Sequence, residues 1–119
     1  MSQDPNQLLR IRRANGVAIV SFLTPYLQTE EVIHQVGDEL FELVETEGYT
    51  KVLLSFNGVR FLSSSMLAQM VKLQRKLAKV KGKLRLSSLP PAMKEVMHIS
   101  QLDKMLEVYD DETSALAKF

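Results

Sequence analysis

Three consecutive serines, Ser63, Ser64 and Ser65, are the residues of this chain best suited to chemistry. They follow the short apolar stretch Val59–Leu62 and precede a segment from Met66 in which the apolar period changes from two to about three and a half residues. This change predicts a helix that begins at the serines. A serine hydroxyl at a helix start can accept a hydrogen bond from a free amide. The positive end of the helix dipole also favours a phosphate there, so the sequence predicts either a helix cap or a phosphorylation site.

Other residue patterns that would indicate catalysis or metal binding are missing from the sequence. The chain has no cysteine, and its two histidines, His34 and His98, have no neighbours at a metal-ligand spacing. There is no glycine-rich phosphate loop, no Gly-x-Ser-x-Gly turn and no His-Glu-x-x-His motif. The segment around Ser64 also offers no base that would activate a serine nucleophile. The sequence therefore predicts a protein that is not an enzyme and that holds no metal or cofactor.

Length and charge predict one small domain in the cytoplasm. The 119 residues are enough for a single core, and the formal net charge of +1 gives no reason to expect nucleic-acid binding. No apolar run approaches the roughly 20 residues that cross a bilayer, so we do not expect a membrane-embedded protein. The polar segment Met1–Gln7 lacks the apolar centre of a signal peptide, and the absence of cysteine agrees with a reducing compartment.

Apolar periodicity and turn residues predict an α/β fold. Asn15-Gly16 is typical of a two-residue hairpin turn, and strands separated by helices favour parallel pairing. We therefore expect a mixed sheet, with an antiparallel N-terminal hairpin and mainly parallel strands after it, and about four helices packed on it. The predicted strands are Leu8–Arg13, Val17–Phe22, Lys51–Phe56, Lys83–Ser87 and Leu106–Tyr109. The predicted helices run from Thr29 to about Glu47, over Ser64–Lys81, from Pro90-Pro91 onward, and over Glu112–Lys118 with Asp110 or Asp111 as cap.

Each of the two long predicted helices has an apolar stripe for the sheet and is followed by a glycine, Gly48 or Gly82, that suits a helix end. The stripe of the first helix consists of Ile33, Val36, Leu40, Phe41 and Val44. The stripe of the second consists of Met66, Met70, Leu73, Leu77 and Val80. The opposite arc of the second helix is basic, through Lys72, Arg75, Lys76 and Lys79. This arc is either a solvated surface or part of a docking surface for an acidic partner.

The serine segment and the sequence after it resemble the STAS domain, the family of bacterial anti-sigma-factor antagonists and related regulatory modules. The family pattern is an apolar strand ending in Asp, a small turn, and then Phe-(apolar)-Asp-Ser-(Ser/Thr)-Gly-Leu at a helix start. The matching segment here is Leu54–Leu67, and the resemblance continues through Leu84–Leu86, Leu89–Val96 and Leu106–Tyr109. It extends from about Leu8 to Phe119 and implies a single STAS-like domain over residues 1–119.

The resemblance implies a role in bacterial transcription regulation and signal transduction by partner switching. Ser64 has the position of the phosphorylated serine, and Ser63 and Ser65 are less favoured candidates. The unmodified protein would bind an anti-sigma factor that is also a serine kinase of histidine-kinase-like fold, and phosphorylation would end this binding. The expected partner-binding residues are Arg60, Phe61, Leu62, Ser63, Ser64, Ser65, Met66, Leu67 and Lys72.

Departures from the family pattern leave two alternative functions open. Ser55 and Ser63 stand where the family has Asp, and Met66 stands where it has Gly. These departures favour a constitutive STAS subunit of a larger complex, such as a stressosome or the cytoplasmic component of a lipid transporter. A small-ligand or nucleotide-binding STAS module is the other alternative, although no glycine run that could cradle a phosphate is present. The sequence leaves homo-oligomer formation open.

Overall fold

The fold is a mixed sheet with helices on both faces, seen in a computed structural model that describes residues 7–117 and 119. The predicted strands and helices form, and three short elements are added between them. The strands are β1 (Leu9–Ala14), β2 (Val17–Phe22), β3 (Tyr26–Leu27), β4 (Lys51–Ser55), β5 (Phe61–Leu62), β6 (Lys83–Ser87) and β7 (Glu107–Tyr109). The helices are α1 (Glu30–Glu45), α2 (Ser64–Lys79), α3 (Pro91–Ile99) and α4 (Glu112–Leu116), with a 3₁₀ turn at Leu102–Lys104.

The main sheet confirms the predicted mixture of antiparallel and parallel pairs. Its strand order is β1-β2-β4-β6-β7, in which β1 and β2 are antiparallel and all other neighbours are parallel. The hairpin turn has positive φ at both central residues, 51° at Asn15 and 80° at Gly16. A turn of this kind matches the right-handed twist of paired strands, which is why the Asn-Gly pair predicted it correctly.

The two faces of the sheet are covered unequally. Strand side chains alternate between the two faces. The side chains on one face, which include Val20 and Leu54, form the large core together with buried residues of α1 and α2. The other set includes Ile19 and Leu53 and packs against Ala115 of α4. No helix among residues 7–117 and 119 is long and apolar enough to cross a membrane.

The predicted stripes of the long helices are correct except at one position in each. In α1, Phe41 is only half-buried, and Leu43, which was not predicted, is completely buried. In α2, Val80 is 47% exposed, because the helix ends at Lys79 and Val80 serves as its C-cap. The predicted end at Lys81 was therefore two residues too late.

The expectation that Gly82 supplies the left-handed residue after α2 is wrong. Lys81 takes that conformation, with a φ of 58°, and the Gly82 amide donates to the Leu77 carbonyl at 2.7 Å. Gly82 is needed for a different reason, since a Cβ atom there would overlap the carbonyl oxygen of Thr50. By contrast, Gly48, just after α1, does take the left-handed conformation, with a φ of 77°.

The C-terminal segment is held to the sheet by a buried arginine. Arg85 of β6 is 6% exposed, and its Nη1 donates to the carbonyl oxygens of Ala115 and Ala117, both at 2.9 Å. Its Nε lies 3.3 Å from Oε1 of Glu107 on the neighbouring strand β7. Helix α4 ends at Leu116 rather than at the predicted Lys118. Lys118 itself, like Met1–Asn6, lies outside the described residues.

Candidate functional site

The serine segment is held by a second, two-stranded sheet that the sequence analysis did not predict. Strand β3 pairs in parallel with β5, directly before the serines. The amides of Arg60 and Phe61 both donate to the carbonyl of Pro25, at 2.8 and 3.2 Å. The Ser63 amide donates to the carbonyl of Leu27 at 2.9 Å. The connection between β2 and α1 therefore fixes the backbone that enters α2.

The β3–β5 pair has one buried face and one exposed face. Leu27 and Leu62 lie side by side in the pair and are 0% and 1% exposed. Their neighbours Tyr26 and Phe61 also lie side by side and are 47% and 46% exposed. Because side chains alternate along a strand, the leucines anchor the pair in the core and the two aromatic rings face outward.

A tight turn connects β4 to this second sheet. The Val59 amide donates to the carbonyl of Phe56 at 2.9 Å, and Gly58 between them has a φ of 89°. The Phe56 ring is buried and stacks on Phe22 of β2 with a centroid distance of 4.8 Å. Ser55, at the position of the family's strand-end Asp, is 4% exposed. The segment that leads to the serines is therefore anchored at both ends.

Helix α2 begins at Ser64, as predicted, but its cap differs from the expectation. Ser63 is the N-cap residue, and its carbonyl accepts from the amides of Met66 and Leu67 at 3.0 and 3.3 Å. Its hydroxyl makes no cap hydrogen bond and is buried without a partner among the described residues. The Met66 amide, which a serine cap often binds, donates to the backbone instead. The predicted side-chain cap is therefore absent.

Ser64 and Ser65 occupy the first two positions of α2, and both are exposed. The first turn of α2 contains no acidic residue. Free amides and the positive end of the helix dipole favour negative charge at such a position. The helix start is thus open to solvent and has no carboxylate of its own to oppose an added phosphate.

Ser65 also borders a groove between the N-terminal halves of α1 and α2. Lys72 lies in the same groove and is exposed, as is His34 on the α1 side. The side-chain amide of Gln69 donates to the Ile33 carbonyl at 3.5 Å and closes the groove between the helices. The groove therefore brings Lys72 to the same surface as the serines.

Three of the expected partner-binding residues lie beneath this surface rather than on it. Leu62, Met66 and Leu67 are 1%, 0% and 8% exposed and belong to the main core. Their side chains position the loop and the helix start from below. The exposed members of the expected set are Arg60, Phe61, Ser64, Ser65 and Lys72, and Ser63 is partly exposed.

The basic arc of α2 is only partly free for a partner. Lys76 forms an ion pair with Glu45 of α1 at 3.1 Å and lies 5.0 Å from the centre of the Phe41 ring. Lys72, Arg75 and Lys79 are exposed. Lys76 therefore joins the two helices, and the other three cations provide the positive charge of this surface.

The two histidines lie in different parts of the structure. His34 borders the α1–α2 groove, whereas Nδ1 of His98, near the C-terminal end of α3, lies 3.2 Å from a carboxylate oxygen of Asp103 in the 3₁₀ turn. Within residues 7–117 and 119, no group of three or more His, Cys, Asp or Glu side chains is arranged to hold a metal ion.

Tyr26 is the surface residue of this region that the sequence analysis missed. It lies in a stretch without helix or strand periodicity, between Pro25 and the start of α1. Its strand partner Phe61 is 35 positions further along the chain, so the pairing leaves no local pattern. The available signal was an aromatic residue directly after a proline in the loop before α1.

The fold and the serine-bearing helix start define a STAS domain, and the chain belongs to the STAS domain family. The sequence profile of that family matches residues 14–115, which include every element from the hairpin turn to α4. The predicted resemblance and the predicted fold class are both confirmed.

Proteins similar to this chain are named anti-sigma factor antagonists. A candidate anti-sigma factor antagonist from Thermotoga neapolitana is 29% identical over 86 residues, which are 72% of this chain and 76% of that protein. An anti-sigma-factor antagonist domain protein from Planctomyces limnophilus has a structure with a TM-score of 0.80 at 22% identity, covering 91% of this chain and 94% of that one. The phosphorylated form of the Bacillus cell fate determinant SpoIIAA gives a TM-score of 0.70 at 18% identity, covering 89% and 95%.

Proposed function

We propose that this protein is a partner-switching regulator of the anti-sigma-factor-antagonist type. The observation that carries the proposal is the exposed Ser64 hydroxyl at the first position of α2, in a helix start without acids, within a chain of the STAS family. A phosphate can be added there without disturbing buried groups. The names of the similar proteins, one of them solved in a phosphorylated form, support the same function.

The unmodified protein binds an anti-sigma factor that is also a serine kinase of histidine-kinase-like fold, and thereby frees a sigma factor. It acts by binding and not as an enzyme. Because sigma factors act on RNA polymerase, this exchange takes place in the cytoplasm. The binding surface consists of Arg60, Phe61, Ser63, Ser64, Ser65 and Lys72, supported from below by Leu62, Met66 and Leu67.

Phosphorylation of Ser64 switches the interaction off. A phosphoserine carries about −1.5 to −2 charges at neutral pH. The dipole of α2 stabilises this charge within the protein, so the fold is kept. A partner that packs over Ser64 would have to bury the same charge, which costs binding free energy. Ser63 is poorly placed to be phosphorylated, because its hydroxyl is buried.

A constitutive STAS subunit of a larger assembly is the second candidate function. It is favoured by the buried Ser55 and by Ser63, whose hydroxyl is buried, at positions where the family has Asp. Such a subunit would use the same surface without a covalent switch. The two functions differ in one measurable property, the incorporation of phosphate.

The test uses the purified histidine-kinase-like anti-sigma factors of the host, each incubated with this protein and labelled ATP. We expect one of them to label the wild-type protein and Ser65→Ala but not Ser64→Ala. We expect the same factor to bind Ser64→Ala like the wild type and Ser64→Asp at least about tenfold more weakly, which is about 1.4 kcal/mol.

Two results would change the assignment. Label that is lost in Ser65→Ala and kept in Ser64→Ala would move the acceptor by one residue. Tight binding without any label, together with equal binding of Ser64→Asp, would replace the switch with the constitutive subunit.

A further inference from the structure

The exposed face of the β3–β5 pair brings together two large aromatic side chains. Tyr26 and Phe61 are register partners in a parallel pair, so their rings emerge side by side from the same face. About half of each side chain is exposed. Single exposed apolar residues are common, but adjacent exposed aromatic residues are typical of protein interfaces, in which Tyr and Phe are enriched.

The backbone below these rings is rigid. Leu27 and Leu62 are buried on the opposite face, and Pro25 accepts hydrogen bonds from two amides of the facing segment. A rigid pair of rings loses little conformational entropy when a partner covers it. Aromatic side chains held in this way are frequent among the residues that dominate binding energy.

The charges around the aromatic pair indicate the chemistry of its partner. Arg60 directly precedes Phe61 and is exposed. The first turn of α2 has no acidic residue, and Lys72 borders the groove beside Ser65, whose lining includes one carboxylate, that of Glu30. A partner that complements this surface has an apolar pocket bordered by carboxylates.

We propose that Tyr26 and Phe61 together anchor the anti-sigma partner by entering an apolar pocket with an acidic rim on that protein. This inference rests on the proposed function and adds to it the anchor residues, one of them outside the segment that the family pattern marks. It also explains how phosphate acts. Ser64 is three positions from Phe61, so phosphorylation would place a dianion against the acidic rim.

A second exposed apolar cluster serves as an internal control. Val96, Ile99 and Met105 are 42%, 72% and 46% exposed at α3 and the 3₁₀ turn after it. The nearby charges of Lys94 and Asp110 form an ion pair with each other at 2.6 Å. Substituting Ile99 therefore removes exposed apolar surface without touching the proposed anchor.

The experiment measures the Kd of each variant by calorimetry with the anti-sigma factor that labels the wild-type protein. We expect Tyr26→Ala and Phe61→Ala each to raise Kd about tenfold or more, whereas Tyr26→Phe and the control Ile99→Ala stay within about twofold. Circular dichroism checks that each variant is folded. The ratio of the Kd of phosphorylated wild type to that of the unmodified protein should shrink as salt is raised, because salt screens the repulsion between the phosphate and an acidic rim.

Each result that would contradict this proposal leads to a different conclusion. Wild-type binding that both alanine variants retain would overturn the anchor and leave the proposed function intact. Weaker binding of Ile99→Ala alone would place the interface at α3. A wild-type dimer in sedimentation velocity that Tyr26→Ala dissociates would show a second copy as the occupant, and this also overturns the proposal. Failure of every anti-sigma factor to bind the wild type would refute the proposed function and the anchor with it.

Discussion

The two long helices of this protein have the same length and pack on the same face of the sheet, yet they begin differently. Both contain 16 residues. At α1, the side chain of Thr29 accepts from the Val32 amide at 3.3 Å, and two glutamates follow in the first turn. At α2, the Ser63 hydroxyl makes no such bond and no acid follows. The chain stabilises the start of α1 internally and leaves the start of α2 available to an added negative charge.

The two shorter helices begin in other ways. Helix α4 is capped by Asp111, whose carboxylate accepts from the Ser114 amide at 2.7 Å. Helix α3 also lacks a side-chain cap bond and a first-turn acid, but it begins at Pro91, which has no amide hydrogen to satisfy, and its first turn has no hydroxyl. The combination of exposed hydroxyls and missing acids is therefore a particular feature of the α2 start.

Removing the cap of α1 should give the largest change in stability. Thr29→Ala should lower the free energy of unfolding by about 1 kcal/mol, because the Val32 amide loses its acceptor. Urea denaturation measures this change, and Thr29→Ser, which keeps the hydroxyl, is the matched control. A Thr29→Ala variant as stable as Thr29→Ser would mean that the two helix starts do not differ in the way described.

Adding an acid to the start of α2 should stabilise the protein. Ser64→Asp should raise the free energy of unfolding by about 0.3–1 kcal/mol at low ionic strength through the helix dipole. The gain should shrink as salt is added, since Ser64 is exposed. The neutral variant Ser64→Asn is the control, and an equal gain with Asn would exclude a charge effect.

Removing the Ser63 side-chain hydroxyl should have little effect, in contrast to Thr29. Ser63→Ala should change the free energy of unfolding by no more than about 0.5 kcal/mol, because no hydrogen bond is lost and a buried unpaired oxygen is removed. The same urea titration measures this variant. A loss as large as that of Thr29→Ala would show that the Ser63 hydroxyl does act as a cap.

The smallest effect is expected at α4 and appears only in acid. The Ser114 amide donates to Asp111 and lowers the pKa of that carboxyl. The charged form then stabilises the fold above the ordinary carboxyl pKa, and this contribution is lost as pH falls through the lowered value. Asp111→Asn should keep the cap and remove this pH dependence. Thermal melts of both proteins over an acid pH series measure the difference, and parallel curves would contradict it.

Most of the main sheet could be predicted because its signals are local. The Asn15-Gly16 turn and the period-two runs each specify an element within a few residues of the chain. The β3–β5 sheet could not be predicted in this way, since each strand has two residues and the pairing joins distant segments. The serines could therefore be predicted as the start of a helix, but the strand pair that holds them could not.

The burial of the Arg85 side chain and of the Ser63 hydroxyl could not be predicted from the local sequence pattern either. Arg85 alternates with two leucines in β6, which favours an outward, solvated side chain, but α4 covers it and supplies carbonyl acceptors. Ser63 has the residue type of a cap, but the backbone takes the amide that it would have bound. In both cases the outcome depends on how segments meet in three dimensions.

The contact between Gly37 and Gln69 provides a spectroscopic reporter of events at the serines. A Cβ atom at Gly37 would lie 2.6 Å from Nε2 of Gln69, so the side-chain amide fills the narrow space between α1 and α2. We expect the NMR signals of its two amide protons to respond to the separation of the helices, because this amide lies between them. If phosphorylation of Ser64 leaves these signals unchanged, α1 and α2 keep the same separation in both states. A partner would then distinguish the two states by the charge at the surface.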